Sequence, residues 1–184
     1  MDWYQNGGKR FIDFVLASIG LVLAFPVILA LCVLIMLVDR HSPLFSQTRV
    51  GRGGKPFTLF KLRTMPKATP NVPTHEAPIQ HISTLGRLLR KTRLDELPQL
   101  ANVIVGQMSL VGPRPCLPSQ RELINARSKR GVVALRPGVT GLSQVNGIDM
   151  SNPEVLAISD SKYAASISFH HDLNIIAKTI VSLK

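Results

Sequence analysis

From Phe11 to Val38 the chain runs through 28 almost wholly apolar residues, broken only by Asp13, Ser18, Gly20 and Pro26. As one straight helix the run would measure roughly 42 Å, more than the ~30 Å hydrocarbon core of a bilayer. Length therefore permits a span, but Pro26 argues against a plain one. It lacks an N–H and clashes with the carbonyl four residues back, dividing the run into parts of about 15 and 12 residues. Each part, roughly 18–22 Å long, is too short to cross alone. Lys9 and Arg10 precede the run and Arg40 follows it, and basic flanks favour the cytoplasmic side for both ends. A proline-broken, re-entrant helix that enters one leaflet and returns satisfies all three observations. A Pro-kinked single-pass helix is the plainer alternative. A signal peptide is disfavoured, because the run is too long and no small-residue cleavage site follows. Asp13, one turn into the run, is a functional candidate by position; pairing with Lys9 at i−4 is its simpler reading.

The length of 184 residues fits one compact unit. We expect residues 1–39 to form the membrane helix and residues 40–184 a single cytoplasmic domain working with it. At 45% hydrophobic the chain is no disordered tail. Cys32 and Cys116 are its only cysteines, which excludes a disulfide framework and a four-cysteine zinc site. Aromatic residues are 5% of the chain, few for a base-stacking platform. The net charge of +11 calls for an anionic partner: nucleic acid, an acidic membrane surface or phosphorylated substrates. Between Arg40 and Arg136 there are 17 Lys and Arg residues but only four acids, Glu76, Asp95, Glu96 and Glu122. The basic surplus thus lies beside the membrane segment. Part of it would adsorb to anionic headgroups at about 1 kcal/mol per residue, and a convergent subset would bind phosphates.

Local patterns predict an α/β fold, mostly helical, with a small β-hairpin. Leu44–Val50 and the alternating run from Phe57 to Arg63 read as strands joined by a turn over Gly51–Pro56. Four prolines between residues 66 and 78 predict a mobile loop. Ser83 to Lys91 is a short amphipathic helix suited to the membrane interface. A second helix is expected from Thr92, with Thr92 and Asp95 forming a capping box, through Leu100 to about Val105. A Gly/Pro loop follows at Val111–Pro115, then a helix over 119–129 and a short strand over 139–145. Asn152-Pro153 reads as N-cap and first position of another helix. A last amphipathic helix spans His170 to Leu183.

Asp95-Glu96 is the most pointed feature. Two carboxylates at a helix start, downstream of Arg87, Arg90, Lys91 and Arg93, can simply complement the helix dipole, worth about 0.3–1 kcal/mol. Alternatively, the cations and dipole keep Asp95 ionised as a nucleophile or metal ligand. Pro113-Arg114-Pro115 fixes the backbone around one arginine fork, either as a plain turn or as a presented cation. Lys61 and Arg63, two apart on a strand, share one face. His75, His81, His170 and His171 have no metal-ligand spacing. The glycine turn at 51–54 is a weak phosphate-loop candidate because no helix follows it, and no Walker A, GxGxxG or GxSxG pattern is present.

Taken together, these stretches resemble a known family. They are Lys9-Arg10 with Asp13, Gln47-Thr48-Arg49-Val50-Gly51 continuing to Phe57, and Lys61-Leu62-Arg63-Thr64-Met65. Leu94-Asp95-Glu96-Leu97-Pro98-Gln99-Leu100, Asn102-Val103, Met108 through Pro115 and Arg136-Pro137-Gly138-Val139-Thr140-Gly141 complete the set. The chain resembles the bacterial sugar transferases, the monotopic phosphoglycosyl transferases, and within them the small, PglC-like class reduced to its catalytic core. The likeness runs from about residue 9 to residue 180. It implies transfer of a sugar 1-phosphate from a UDP-sugar to undecaprenyl (polyprenol) phosphate, with UMP leaving, at the cytoplasmic face of the bacterial inner membrane. By resemblance Asp95 is the nucleophile that becomes a phosphosugar ester. Glu96 is its partner in proton transfer. Mg²⁺ is held by Asp95 and the diphosphate, and Lys61, Arg90 and Arg114 face the phosphates. The short form implies an N-acetylated amino or deoxyamino sugar, and no nucleic acid partner. The chain departs from many small members at Phe25-Pro26, where they carry Ser before the membrane proline. Asp160, Tyr163 and Asp172 keep the family's spacing, and no chemistry is assigned to them.

Two other classes compete. A membrane-anchored basic module binding anionic lipid or nucleic acid would explain the charge and the apolar run, but not Asp95-Glu96 beside fixed arginines. An ordinary glycosyl transferase would release UDP instead of UMP.

Overall fold

The computed structural model describes residues 3–66 and 82–181. After an irregular turn at Tyr4–Gly8, helix α1 runs from Lys9 to Val38. Helical residues continue across Pro26, which enters as an interior residue. A missing proline N–H removes one helical bond, and the turns on both sides are apolar enough to carry on. Both ends of α1 are held by the same body while its middle is bare. Ala17 is buried among Phe57, Leu59, Val103 and Met108, and Ile35 among Leu62 and Leu89. Between them Val22 and Leu23 remain more than 70% exposed.

Strands β1 (Leu44–Val50) and β2 (Pro56–Leu62) form the expected antiparallel hairpin, with Gln47 opposite Leu59 and Arg49 opposite Phe57. One face of β2 carries the buried Phe57 and Leu59, and their partners on β1, Arg49 and Gln47, are buried beside them; Leu62, on the opposite face, is buried against Ile35 and Leu89. The glycine turn closes on itself: the Gly51 N–H donates to the Lys55 carbonyl and the Gly54 N–H to that of Gly51. Of the proline-rich stretch 66–78 only Pro66 is described, so the expected loop lies outside the described residues.

Helix α2 (Thr84–Lys91) is capped by Ser83, whose Oγ accepts from the Gly86 N–H. It turns Leu89 and Leu85 inward against Ile35 and Leu62, leaving Leu88 outward. The expected long helix from Thr92 is instead two pieces. Thr92 ends α2, its hydroxyl donating to the Leu88 carbonyl, so there is no capping box. Arg93 takes a left-handed φ of 54°, and Leu94–Glu96 form one 3₁₀ turn. Helix α3 then covers Gln99–Ile104.

Strand β3 (Ser109–Val111) pairs in parallel with β4 (Gly138–Thr140). The strand expected over 139–145 is thus cut short, and Leu142–Val145 form the short helix α5. Two backbones meet so closely here that a Cβ on Gly138 would overlap the Gly112 nitrogen; only glycine fits such an approach. Helices α4 (Arg121–Lys129), α6 (Pro153–Ala165) and α7 (Phe169–Val181) complete the body. Asn152 caps α6 as expected, accepting from the Val155 N–H.

A buried polar cluster fastens α1 to this body. Asp13 accepts from Ser109 Oγ at 2.7 Å and from the Leu110 N–H at 3.1 Å. Lys9 is 4.0 Å from Asp13 and bonds instead to Asp172. The simple i−4 pair is therefore not the main partner of either. Tyr4 and Tyr163 also donate to Asp172.

Candidate active site

Five residues singled out in the sequence converge from four places in the fold. Lys61 comes from the end of β2, Arg90 from α2, Asp95 and Glu96 from the 3₁₀ turn, and Arg114 from the loop after β3. Lys61 Nζ donates to Glu96 Oε1 at 2.7 Å, and Arg114 Nη2 lies 3.9 Å from the same oxygen. Burial pushes the Glu96 carboxyl up, but Lys61 and Arg114, the Lys61 hydrogen bond and Arg93 together outweigh it. They hold the group at about 2.

Asp95 lives differently one residue away. It is 7% exposed, and among the described residues its carboxylate takes no hydrogen bond and no ion pair. Burial and the charge of Glu96 raise it above the ordinary carboxylate range, opposed at longer reach by Lys61, Arg90 and Arg114. The expected helix-dipole support is missing, because the 3₁₀ turn is only three residues long. Arg90 stands on the Asp95 side. Its Nε donates to Thr64 Oγ1 at 2.9 Å, and burial lowers its guanidinium while Asp95 raises it. Arg63, predicted to share a face with Lys61, is turned away to the carbonyls of Ser42 and Leu44.

A narrow cleft opens beside the pair, lined by Arg49, Lys61, Glu96, Gln99 and Arg114 among others. Arg49 was not singled out from the sequence. It is 7% exposed, donates to Gln47 Oε1 and to the Pro115 carbonyl, and its Nε is buried with no hydrogen-bond partner among the described residues. Burial and Arg114 bring its guanidinium down to about 10. Alternation alone could not find it: Arg49 shares its strand face with Phe45 and Gln47 while the other face carries Leu44 and Val50, and only the placed strand shows residues 47 and 49 turned inward. A cluster of cations around one clamped and one free carboxylate can gather an anion with two phosphates and offer it a nucleophile.

No three His, Cys, Asp or Glu side chains come together as a metal cage among the described residues.

The model of the bacterial sugar transferase family matches residues 4–184. The chain belongs to that family. As a bacterial sugar transferase it is similar to a UDP-glucose:undecaprenyl-phosphate glucose-1-phosphate transferase of Caulobacter vibrioides, 38% identical over 185 residues, which cover 95% of this chain and 69% of the relative. It is also similar to the uncharacterized sugar transferase EpsL of Bacillus subtilis, 37% identical over 94% of this chain and 85% of the relative. A third relative is the UDP-N-acetylgalactosamine-undecaprenyl-phosphate N-acetylgalactosaminephosphotransferase of Aeromonas hydrophila, 34% identical over 94% of this chain and 42% of that protein. The transferase class expected from the sequence is thereby established. The sugars named for these relatives differ.

Proposed function

We propose that this sugar transferase moves a sugar 1-phosphate from a UDP-sugar to undecaprenyl phosphate through a covalent Asp95 intermediate. The observation that carries the reading is the split between the two adjacent carboxylates. Glu96 is engaged by Lys61 and Arg114, while Asp95 is buried, without a hydrogen bond or ion pair among the described residues, and raised. A desolvated carboxylate with no hydrogen bonds to give up is the better nucleophile.

In the first half-reaction an Asp95 carboxylate oxygen attacks the sugar-bearing phosphorus. The bond from that phosphorus to the bridging oxygen breaks, and UMP leaves with the electron pair. In the second, an oxygen of undecaprenyl phosphate attacks the same phosphorus, the acyl-phosphate bond breaks and Asp95 is regenerated. Arg114 and Lys61 neutralise the phosphate oxygens from the cleft side and Arg90 from the Asp95 side. Glu96 we assign to anchoring Lys61 and Arg114. A carboxyl held at about 2 is a poor proton acceptor, so the proton-transfer role implied by resemblance is set aside.

Mg²⁺ fits the residues present. One free carboxylate is the usual protein contribution when the substrate's phosphates complete the shell, and Asp95 supplies it. The ion would offset the negative charge of the diphosphate.

The amino or deoxyamino sugar expected from the sequence is retained as the proposed donor, with an N-acetylated sugar tested first. The membrane reading is that α1 dips into one leaflet and returns. Packing of both its ends on one body, with the residues around Val22 and Leu23 bare between them, supports a catalytic body on one side of the bilayer, the cytoplasmic one. A helix crossing outright would carry Ile35 away from Leu62.

The test is nucleotide release by detergent-purified full-length protein with Mg²⁺, undecaprenyl phosphate and a panel of UDP-sugars. UMP release dependent on one sugar, and a phosphosugar adduct on the peptide containing Asp95 by mass spectrometry, are expected. Release of UDP, or unchanged turnover by Asp95→Asn, would refute the proposal; no nucleotide release with any sugar would favour a basic binding module.

A further inference from the structure

The loop that presents Arg114 contains Pro113 and Pro115, which have no N–H with which to brace it. Its carbonyls are braced instead, each by another part of the molecule. The Pro113 carbonyl accepts from the Gly138 N–H at 2.9 Å and that of Cys116 from the Val50 N–H at 2.9 Å. The Pro115 carbonyl accepts from Arg49 Nη1 at 3.2 Å, and the Arg114 carbonyl itself accepts from Arg127 Nη1 at 2.9 Å.

Arg127 is the most elaborate of these braces. Its Nε and Nη2 both donate to Asp160 Oδ2, at 2.9 and 2.7 Å, and Asp160 Oδ1 accepts from Ser143 Oγ at 2.8 Å. Arg127 and Asp160 are 5% and 2% exposed, and they lie on α4 and α6, behind the loop and away from the cleft. A buried ion pair is an expensive way to gain stability, since an apolar pair of similar volume often does as well or better. What it offers here is direction: a guanidinium locked by one carboxylate has a planar fork left to aim at a single carbonyl.

We propose that Arg127, locked by Asp160, is a positioning residue that sets the direction of the Arg114 guanidinium toward the transferred phosphate. The inference rests on the phosphate role of Arg114 proposed above. Loss of the brace leaves the Arg114 charge in place but unaimed, and misplacement by about 1 Å is enough to slow a positioned reaction ~100-fold.

The experiment is a double-mutant cycle on the full-length protein, read by UMP release, with Arg127→Lys and Arg114→Ala singly and together. Lysine keeps a cation for Asp160 but has no fork to share with the Arg114 carbonyl. Arg127→Lys should lower kcat/KM about ten- to a hundredfold, the weight of one charge-assisted hydrogen bond, and raise KM for the UDP-sugar. In the Arg114→Ala background the same substitution should cost less than about threefold, because nothing is left to aim. Equal losses in both backgrounds would overturn the inference and make the pair structural only. Full activity of Arg114→Ala would remove the phosphate role on which it rests, a result distinguishable from the first. Should Arg127→Lys not fold, Asp160→Asn completes the same cycle: asparagine keeps an acceptor oxygen but loosens the lock, and the same non-additivity is required.

Discussion

Replacing Lys61 by methionine should leave a signature in the pH dependence of stability. Lys61 is the largest of the charges that hold Glu96 down, from its ordinary 4.5 to about 2. At about 1.4 kcal/mol per pKa step, that difference represents about 3 kcal/mol of stability. The two side chains are 18% and 12% exposed, so solvent screening removes little of it. Because the folded value lies below the unfolded one, the stabilisation is fully present above about pH 4.5 and is lost as pH falls toward 2. Between pH 5 and pH 3 the wild type should lose about 2 kcal/mol from this group, or about 4–8 °C in Tm for a chain of this size. The assay is thermal unfolding of nanodisc-embedded protein at a series of pH values, wild type beside Lys61→Met. Carboxylates outside the pair contribute equally to both curves and cancel in the difference. The variant should be less stable at neutral pH and should fall less steeply on acidification, losing under half of the wild-type increment. Parallel curves would refute the assignment of Glu96 as an anchored, permanently charged group, and with it the division of labour at the site.

Further outcomes follow from single contacts. Removal of Mg²⁺ with a chelator should abolish UMP release, and its return should restore it; undiminished release without it would remove the ion from the mechanism. Gly138→Ala should lower Tm, because the added Cβ meets the Gly112 backbone and overpacking of this kind costs about 1–3 kcal/mol. Ser83→Ala removes the α2 cap at a cost of about 1 kcal/mol, visible as a small Tm decrease with kcat/KM nearly unchanged. Cysteines introduced at positions 5 and 55 should both be labelled from the cytoplasmic side in intact cells; labelling from opposite sides would rule out the re-entrant reading.

Much of the hairpin, the capped helices α2 and α6 and the convergence of Lys61, Arg90, Asp95, Glu96 and Arg114 was legible in the sequence. The hairpin rested on alternation, α2 on amphipathic spacing and α6 on its Asn-Pro start, whereas the site residues were tied together by the resemblance of their motifs to one family. What stayed hidden was tertiary. Thr92 and Asp95 have capping-box spacing, yet Thr92 bonds backwards into α2, and the left-handed Arg93 turns the chain before α3 can begin. Asp13 and Lys9 have helical spacing, yet each finds a stronger partner more than 90 residues away. The parallel β3–β4 pair is three residues per strand, too short to leave a periodic trace. Arg49 was missed because an arginine in a basic stretch looks solvated until its strand is placed with that face inward.

The break at Arg93 explains how neighbouring carboxylates come to differ. On an α-helix, Asp95 and Glu96 would both have occupied a first turn under one dipole. In a 3₁₀ turn, successive side chains diverge by about 120°, so one faces the cleft with Lys61 and Arg114 while the other is buried with no hydrogen bond or ion pair among the described residues. Environments that push two titratable groups apart mark a division of roles. Here the divergence is one residue wide, and its structural cause is a non-glycine residue in a left-handed conformation, a strained choice that persists where the surroundings over-determine it. Arg93→Gly relaxes φ without changing the direction of the chain. It should therefore preserve or raise stability by up to about 1 kcal/mol. The Arg93 charge, a minor contributor at Glu96, is lost with it, so kcat should change little. Arg93→Pro cannot adopt φ of 54° and should destroy the 3₁₀ turn, the split between the carboxylates and turnover together. Retained turnover in Arg93→Pro would show that the turn is not what separates the roles of Asp95 and Glu96.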